Sequence, residues 1–265
     1  MSEPLGSPWL TIITVVKDAP GDIRATLTSV ADQQLTGVEY LVVDGSADRE
    51  AVPEVLADFP GVPSQLVWQE PSGIYPAMNA GLERASGSYV YFANAGDTLH
   101  DADVLTDVSR AVMAAQPAWL FGSVEIIDRA GGRVITPPWD YEAERAVSFS
   151  RGLFPCHQGM FARRDLLVGQ GGFDPSYSIV ADYAAFLKLT LAADPVFLDR
   201  VIARFTEGGV STLRWQESFR QFHRARASIL RPSGFAAWRE RYESLAQFAR
   251  VFAYREILRR GRRAS

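Results

Sequence analysis

The sequence predicts an α/β fold with a largely parallel central sheet. Two patterns carry that prediction. Short runs rich in Val, Ile and Thr recur along the N-terminal part of the chain, and segments of helical apolar spacing fill the intervals between them. A chain of 265 residues that is 47% hydrophobic and 22% charged has the composition of an ordinary globular protein. A domain of that size buries roughly 70–75% of its unfolded surface without staples. Intrinsic disorder, a collagen-like chain and a disulfide-built mini-protein are excluded.

The first strand is Leu10 to Val16, a run typical of a strand buried on both faces. Ile23, Leu27 and Val30 then share one helix face. Val38 to Val43 is a second buried strand, ending at Asp44-Gly45, and Val52 to Phe59 is a helix. Gln65 to Gln69 forms a short third strand, Ala77 to Ala85 a helix, and Ser88 to Ala93 a fourth strand. Ligands of such sheets bind at the carboxyl ends of the strands, so chemistry is expected directly after each one.

Those positions are acidic. Strand one ends at Lys17-Asp18, strand two at Asp44-Gly45-Ser46 and strand four at Asn94-Ala95-Gly96-Asp97. Carboxylates along one sheet edge repel the phosphates of a nucleotide unless a hard cation, Mg²⁺ or Mn²⁺, mediates. Each of them also fits the plainer role of a helix N-cap. There is no G-x-G-x-x-G after strand one and no G-x-x-x-x-G-K-[ST], so the nicotinamide and P-loop versions of the fold lose their support. Gly171-Gly172 and Gly208-Gly209 are expected at turns.

The net charge of −4 hides an asymmetry: residues 214–265 hold 13 Arg and 4 Glu, whereas the preceding 213 residues hold 14 basic and 27 acidic side chains. The sequence therefore predicts an acidic domain over residues 1–213 and a basic helical extension over 214–265. Trp215, Phe219, Phe222 and Ile229 share a helix face, and Pro232, Ser233 and Gly234 break the pattern. A second helix carries Phe235, Trp238, Tyr242, Leu245, Ala249 and Phe252 on one stripe and ends in Arg255, Arg259, Arg260, Arg262 and Arg263. Either these aromatics pack on the parent domain, or the helix lies on anionic lipid headgroups. The 3-4 spacing is also that of a helix-pairing seam, which would make a homodimer. An acidic body without a recognition motif argues against nucleic acid as a partner.

The longest apolar runs fall far short of the ~20 residues of a membrane-spanning helix. Residues 1–8 carry Glu3 and no basic residue, unlike a signal peptide. A single cysteine, Cys156, forms no intramolecular disulfide, and with three histidines in all a zinc site of N and S ligands is not expected. A reducing, cytoplasmic compartment is expected, with attachment at the inner face of the cell membrane if the arginine-rich end binds lipid.

Taken together, the motifs resemble the family 2 glycosyltransferases of GT-A fold. The resemblance starts in Thr11-Ile-Ile-Thr-Val-Val-Lys-Asp18 and Tyr40-Leu-Val-Val-Asp-Gly-Ser46. It sharpens in Glu70-Pro-Ser-Gly-Ile-Tyr-Pro-Ala-Met-Asn-Ala-Gly81 and Tyr91-Phe-Ala-Asn-Ala-Gly-Asp97. It continues in Cys156-His-Gln-Gly-Met-Phe161 and Gly172-Phe-Asp-Pro-Ser-Tyr-Ser-Ile-Val-Ala-Asp-Tyr183. The combination is similar to the bacterial branch that builds exopolysaccharides and glycolipids, including colanic-acid-type enzymes. It covers about residues 9–212 and leaves the helical extension outside.

The resemblance implies a nucleoside-diphosphate sugar donor (UDP, GDP or dTDP), a divalent metal, inversion at the anomeric carbon, and a glycan or lipid-linked acceptor. Thr14, Asp18, Asp44 and Gly45 would line the base and ribose pocket, where a carboxylate can accept the ring N–H of a base. Residues Ser72 to Gly81 would lie along the ribose and diphosphate, with Tyr75 and Asn79 as polar contacts. Asn94 to Asp97 stands in the place of the family's D-x-D element and departs from it, because Asn94 replaces the first Asp and Gly96 an acidic position. Asp97 is then the expected metal ligand, and Asn94 contacts the metal or a hydroxyl through its carbonyl.

Asp182 precedes an apolar helical stretch and matches the family's acidic position in a phrase of the form A-D-Y. The resemblance makes it the expected general base that deprotonates the acceptor hydroxyl, a role worth roughly 10²–10⁴ in rate and compatible with the plainer role of a helix N-cap. His157 is expected to open a strand ending near Phe161, which would put Cys156 and His157 on opposite faces and rule out a nucleophilic dyad. It is assigned to a sugar or phosphate contact or to the metal, with a structural role as the alternative. The Gly208-Gly209 to Thr212 segment is a candidate closing loop. Two other classes stay open: a non-catalytic nucleotide-sugar binder with a reduced metal motif, and a sugar-nucleotide pyrophosphorylase. The latter usually has a Gly-rich basic loop after strand one, which Lys17-Asp18-Ala19-Pro20-Gly21 does not resemble.

Overall fold

The protein was studied as a computed structural model that describes residues 8–33, 36–62, 64–128, 130–138, 141, 154–206 and 214–261, with backbone alone at 247 and 253–261. Its first half alternates as expected. Strand β1 (Leu10–Val16) leads to α1 (Pro20–Ala31), β2 (Val38–Asp44) to α2 (Ala51–Ala57), and β3 (Ser64–Trp68) to α3 (Ile74–Arg84), followed by β4 (Tyr89–Phe92). Pro20 opens α1 where its missing N–H has no intrahelical partner to lose. Ile23, Thr26, Leu27 and Val30 are the face that α1 buries.

Next come β5 (Thr98–Leu99), α4 (Val104–Ala115), β6 (Trp119–Ile127) and β7 (Arg133–Ile135). A 3₁₀ turn (His157–Gly159) enters β8 (Met160–Arg163), then α5 (Arg164–Gly169), α6 (Ala181–Ala192) and β9 (Val196–Thr206). Two long helices, α7 (Trp215–Leu230) and α8 (Gly234–Gly261), complete the described chain.

The strands form one sheet in the order β3-β2-β1-β4-β8-β6-β9-β5, with β7 on β6. The pairs β3–β2, β2–β1 and β1–β4 are parallel, as expected of the segment read from the N-terminal pattern. Beyond β4 the sheet is mixed: β8 is antiparallel to both β4 and β6, whereas β9 is parallel to β6.

Both faces of the sheet are covered, and the period of two along each strand sorts its side chains between two cores. Ile13, Val15, Leu41, Val43, Val90 and Phe92 face α3 and α6. Leu10, Ile12, Tyr40, Val42, Tyr89 and Tyr91 face α1, α2 and α4. Helix α3 can lie close on the sheet because Gly81 has no Cβ; one built there would meet Ile13 Cγ2 at 2.5 Å. Helix α7 joins the first core through Ala225, Phe222 and Ile229. Its Phe222 ring packs edge-on against Tyr183 of α6 at 4.8 Å.

The aromatics of the C-terminal segment therefore divide. Those of α7 turn to the domain or to Phe248 of α8, which stacks on Trp215 at 5.4 Å. The α8 stripe stays open, with Phe235 and Trp238 74% and 60% exposed. Among the described residues no helix is long and apolar enough to cross a membrane.

Candidate functional site

The carboxyl ends of β1, β2 and β3 surround a cavity of about 280 Å³, lined among others by Lys17, Gly45, Gln69, Glu70, Ser72 and Gly73. The loops around it are stitched by backbone. Gly45 N–H donates to Val16 O at 2.9 Å, and Gln69 N–H to Asp44 O at 2.8 Å. Asp18 sits in the left-handed region (φ 51°), which short polar side chains tolerate best after glycine. It is tied to the β2 loop twice: its N–H donates to Ser46 Oγ at 2.8 Å, and its Oδ1 accepts Ala47 N–H at 2.9 Å. Asp44 is buried, and its Oδ1 accepts Ser46 N–H at 2.8 Å, closing the turn after β2. Of the residues expected at base and ribose, Gly45 lines the cavity directly, while Asp18 and Asp44 each spend one oxygen shaping its wall.

Thr14 is a correction. It lies in mid-strand with no exposed surface, on the face toward α1, and its hydroxyl pairs with Tyr40 Oη at 2.8 Å. Asn79 is another. Its amide clamps the backbone of Phe173, donating from Nδ2 to Phe173 O (2.7 Å) and accepting Phe173 N–H on Oδ1 (2.8 Å). One amide N–H and one oxygen lone pair are thus spent on holding the 171–180 loop. Tyr75 likewise turns inward: its hydroxyl lies 2.6 Å from Ile179 O and 2.9 Å from Asp182 Oδ1.

A second cluster gathers at the ends of β4 and α6. Asp182 lies in the first turn of α6, not at its N-cap, which is Val180. His157 Nδ1 is 3.0 Å from Asp182 Oδ2, and His157 Nε2 is 3.3 Å from Asn94 Nδ2. In its neutral form the imidazole satisfies both contacts by donating from Nδ1 to the carboxylate and accepting the Asn94 amide N–H on Nε2; protonation at Nε2 strengthens the first contact and gives up the second. His157 belongs to the 3₁₀ turn and not to the expected strand, because the chain must fold back before β8 can pair with β4. A Cys–His dyad is absent for a different reason than opposite strand faces. The imidazole is already engaged by Asp182, and burial pushes the Cys156 thiol up to about 11.

The charges of this cluster are coupled. Burial alone would raise the Asp182 carboxyl, but the hydrogen bond and charge of His157 outweigh it and hold it below the usual carboxylate range. Burial would lower His157, yet Asp182, with Asp97 further off, raises it. Asp97 is 8% exposed, and desolvation pushes its carboxyl up to about 6 against the pull of His157, the Asn94 backbone and the Gln158 side chain. Gln158, unassigned from the sequence although it follows His157 in the quoted motif, thus belongs to the cluster.

Two oxygens here are buried without a hydrogen-bond partner: Asp97 Oδ2 and Asn94 Oδ1. Orphaned buried acceptors are rare and require a cause. Hard oxygen donors of this kind suit Mg²⁺ or Mn²⁺, which take one or two protein oxygens and fill the other positions with phosphate and water. Among the described residues no group of three or more His, Cys, Asp or Glu is placed to hold a metal without such help. The donor set fits a cation that arrives with a diphosphate. The Gly208-Gly209 to Thr212 segment lies outside the described residues.

A parallel β-α-β half with its cavity at the strand ends, continued by a mixed sheet, defines the GT-A class of nucleotide-sugar folds. The chain belongs to glycosyl transferase family 2, whose family model matches residues 11–168. It is similar to the PGL/p-HBAD biosynthesis glycosyltransferase of Mycobacterium tuberculosis, at 27% identity over 217 residues covering 78% of this chain and 80% of that one. In fold it is similar to residues 1–349 of S. aureus TarS in complex with UDP-GlcNAc (TM-score 0.68, 17% identity, 92% of this chain and 73% of that one). It spans 40% of a longer TarS chain. The mannosyltransferase PcManGT of Pyrobaculum calidifontis, in complex with GDP-Man and Mn²⁺, is also similar (TM-score 0.65, 18% identity, 93% of this chain and 75% of that one).

Proposed function

We propose that this glycosyltransferase moves a sugar, with inversion, from a nucleoside-diphosphate donor to a hydroxyl of a glycan or lipid-linked acceptor in cell-envelope synthesis, working at the cytoplasmic side of a membrane. The observation that carries the reading is the line of side chains Tyr75–Asp182–His157–Asn94 beside the buried Asp97. Inversion in a single displacement needs one group on the acceptor side to take the hydroxyl proton as the oxygen attacks the anomeric carbon. Asp182 is that group. Its carboxyl is held below the usual carboxylate range by His157, with the Tyr183 backbone N–H and the Tyr75 hydroxyl as further donors, and three donors leave the carboxylate one of its four lone pairs for a proton. His157 and Tyr75 are positioning residues for it.

The strand-end cavity takes the nucleotide, with Lys17, Gly45, Ser72 and Gly73 among its lining residues. Asp97 Oδ2 and Asn94 Oδ1 would hold a divalent cation, which when bound neutralises charge on the departing diphosphate. The mycobacterial relative's name, a glycosyltransferase of PGL/p-HBAD biosynthesis, is in keeping with a biosynthetic role of this kind.

The test is a thermal-shift panel of UDP, GDP and dTDP, each with and without Mn²⁺, on wild type and Asp97→Ala. Ligand at 100 times its Kd adds about 2.7 kcal/mol, a shift such a scan resolves. Stabilisation by one diphosphate, dependent on Mn²⁺ and lost in Asp97→Ala, is expected. No response to any of the three overturns the donor site. The anomeric configuration of the product, read by NMR, tests inversion separately.

A further inference from the structure

The α7–α8 hairpin presents a face that the chemistry above does not use. Phe235, Trp238, Tyr242 and Leu245 recur at helical spacing on α8 and are 74, 60, 59 and 69% exposed. The three rings form a continuous row, Phe235 to Trp238 at 5.6 Å and Trp238 to Tyr242 at 5.7 Å. This row does not hold α8 in place. That is done elsewhere on the helix, where Glu240 accepts Arg226 Nε–H at 3.0 Å and Phe248 stacks on Trp215. Beside the row a groove of about 300 Å³ runs between the two helices, floored by Phe219, Leu245 and Phe248 and rimmed by Arg220 and Arg241. Both arginines are exposed.

We propose that this face docks on an anionic phospholipid bilayer, with headgroup phosphates at Arg220 and Arg241 and with Trp238, Tyr242 and Leu245 entering the interface. Three observations select that occupant. The hairpin is strongly basic, and two of its glutamates are already engaged, Glu217 by Arg214 and Glu240 by Arg226. The exposed apolar groups are led by Trp and Tyr, whose amphipathic rings suit the headgroup region, and the groove gives an apolar floor directly beside cations. The inference does not depend on the donor reading and concerns where the enzyme meets its substrate.

The experiment is flotation of the full chain with vesicles of phosphatidylcholine alone or with about one third phosphatidylglycerol, at low and high salt. Binding is expected only to the anionic vesicles and is expected to weaken with salt. Each arginine near such a surface contributes about fivefold, so Arg220→Gln/Arg241→Gln lowers binding about 25-fold. Trp238→Ser/Leu245→Ser weakens it at unchanged charge. The charge-matched pair Arg110→Gln/Arg133→Gln, on exposed positions elsewhere, floats as wild type. Unchanged melting temperatures confirm that the variants fold. Equal recovery with both vesicles, equal loss in the charge-matched pair, or a dimer in sedimentation that Trp238→Ser dissolves while nothing floats would each overturn the proposal, the last in favour of a second copy.

Discussion

His157 Nδ1 lies 3.0 Å from Asp182 Oδ2, a contact that pulls the carboxyl down and the imidazole up against the burial of both. It holds the carboxyl below the usual carboxylate range in a site where burial alone would raise it. Asp182→Asn keeps the shape and removes the proton acceptor. Its kcat is expected to fall by about 10²–10⁴ while the donor-induced thermal shift persists. A loss of donor binding equal to the loss of rate would instead place Asp182 in the donor site.

The same contact makes stability depend on pH. His157 is raised above its unfolded value, so the stability it contributes is full below about pH 6.5 and is lost as pH rises through its folded pKa. Asp182 is lowered, so its share is present above about pH 4 and is lost as pH falls through its folded pKa. His157→Gln should therefore lower Tm more in mildly acidic buffer than in alkaline buffer. Equal penalties across that range would show that the imidazole is not protonated against Asp182.

Tyr75→Phe separates two roles for the α3 tyrosine. As a diphosphate contact it would raise the donor KM. With its hydroxyl between Ile179 O and Asp182 Oδ1, the loss should appear in kcat and in stability instead. Leaving those acceptors without their partner costs about 1–3 kcal/mol. The measurement is a KM-against-kcat comparison together with a urea melt.

The alternation of strands and helices was legible because a sheet covered on both faces writes near-continuous apolar runs, and strand-end position followed from it. The direction of individual polar side chains was not. Thr14 and Asn79 sit in quoted motifs, yet one points under α1 and the other clamps Phe173, because register and helix rotation decide which way a residue in a motif faces. The 3₁₀ turn at His157 was equally hidden: Met160 and Phe161 carry a strand pattern, and only the antiparallel docking of β8 on β4 and β6 forces the chain to turn before them. The Asp182–His157 pair joins residues far apart in sequence, and no spacing rule reports such a contact.

Asp97 carries a stability penalty in the metal-free protein. Its folded carboxyl is raised to about 6, so the stability it contributes is full below its unfolded value near 4 and is lost as pH rises through about 6. By mildly alkaline pH the charged, buried group costs up to about 3 kcal/mol. Asp97→Asn should melt higher than wild type there without metal, match it in acid, and lose the extra stabilisation by Mn²⁺ with diphosphate. A variant less stable than wild type at every pH would contradict the assignment of Oδ2 as an oxygen kept free for a cation.

The buried pair Arg226–Glu240 ties α7 to α8, and α7 in turn packs on the helix that carries Asp182 through Phe222 and Tyr183. Both are nearly inaccessible (2% and 6%), with Arg226 Nε 3.0 Å from Glu240 Oε1 and Ser244 closing the triangle. Arg226 also lies beside the Tyr183 phenol, which burial pushes up to about 12 while the guanidinium pulls it down. One helical turn earlier, Gln221 Oε1 accepts Ile179 N–H at 3.0 Å, so α7 holds the loop that leads into Asp182. Arg226→Ala takes the guanidinium from a buried carboxylate that keeps His223 (Nδ1 3.0 Å from Oε2) and Ser244 as partners, so it should cost less than the ~3–5 kcal/mol of a carboxylate left wholly unpaired. Arg226→Met/Glu240→Leu removes both charges and should fall within about 2 kcal/mol of wild type, since apolar replacement of a whole buried pair is often neutral. The double variant is the informative one. If it folds like wild type and still turns over more slowly with donor binding intact, α7 positions Asp182 through Tyr183; if turnover is unchanged, the hairpin is a separate attachment whose packing does not reach the catalytic carboxylate.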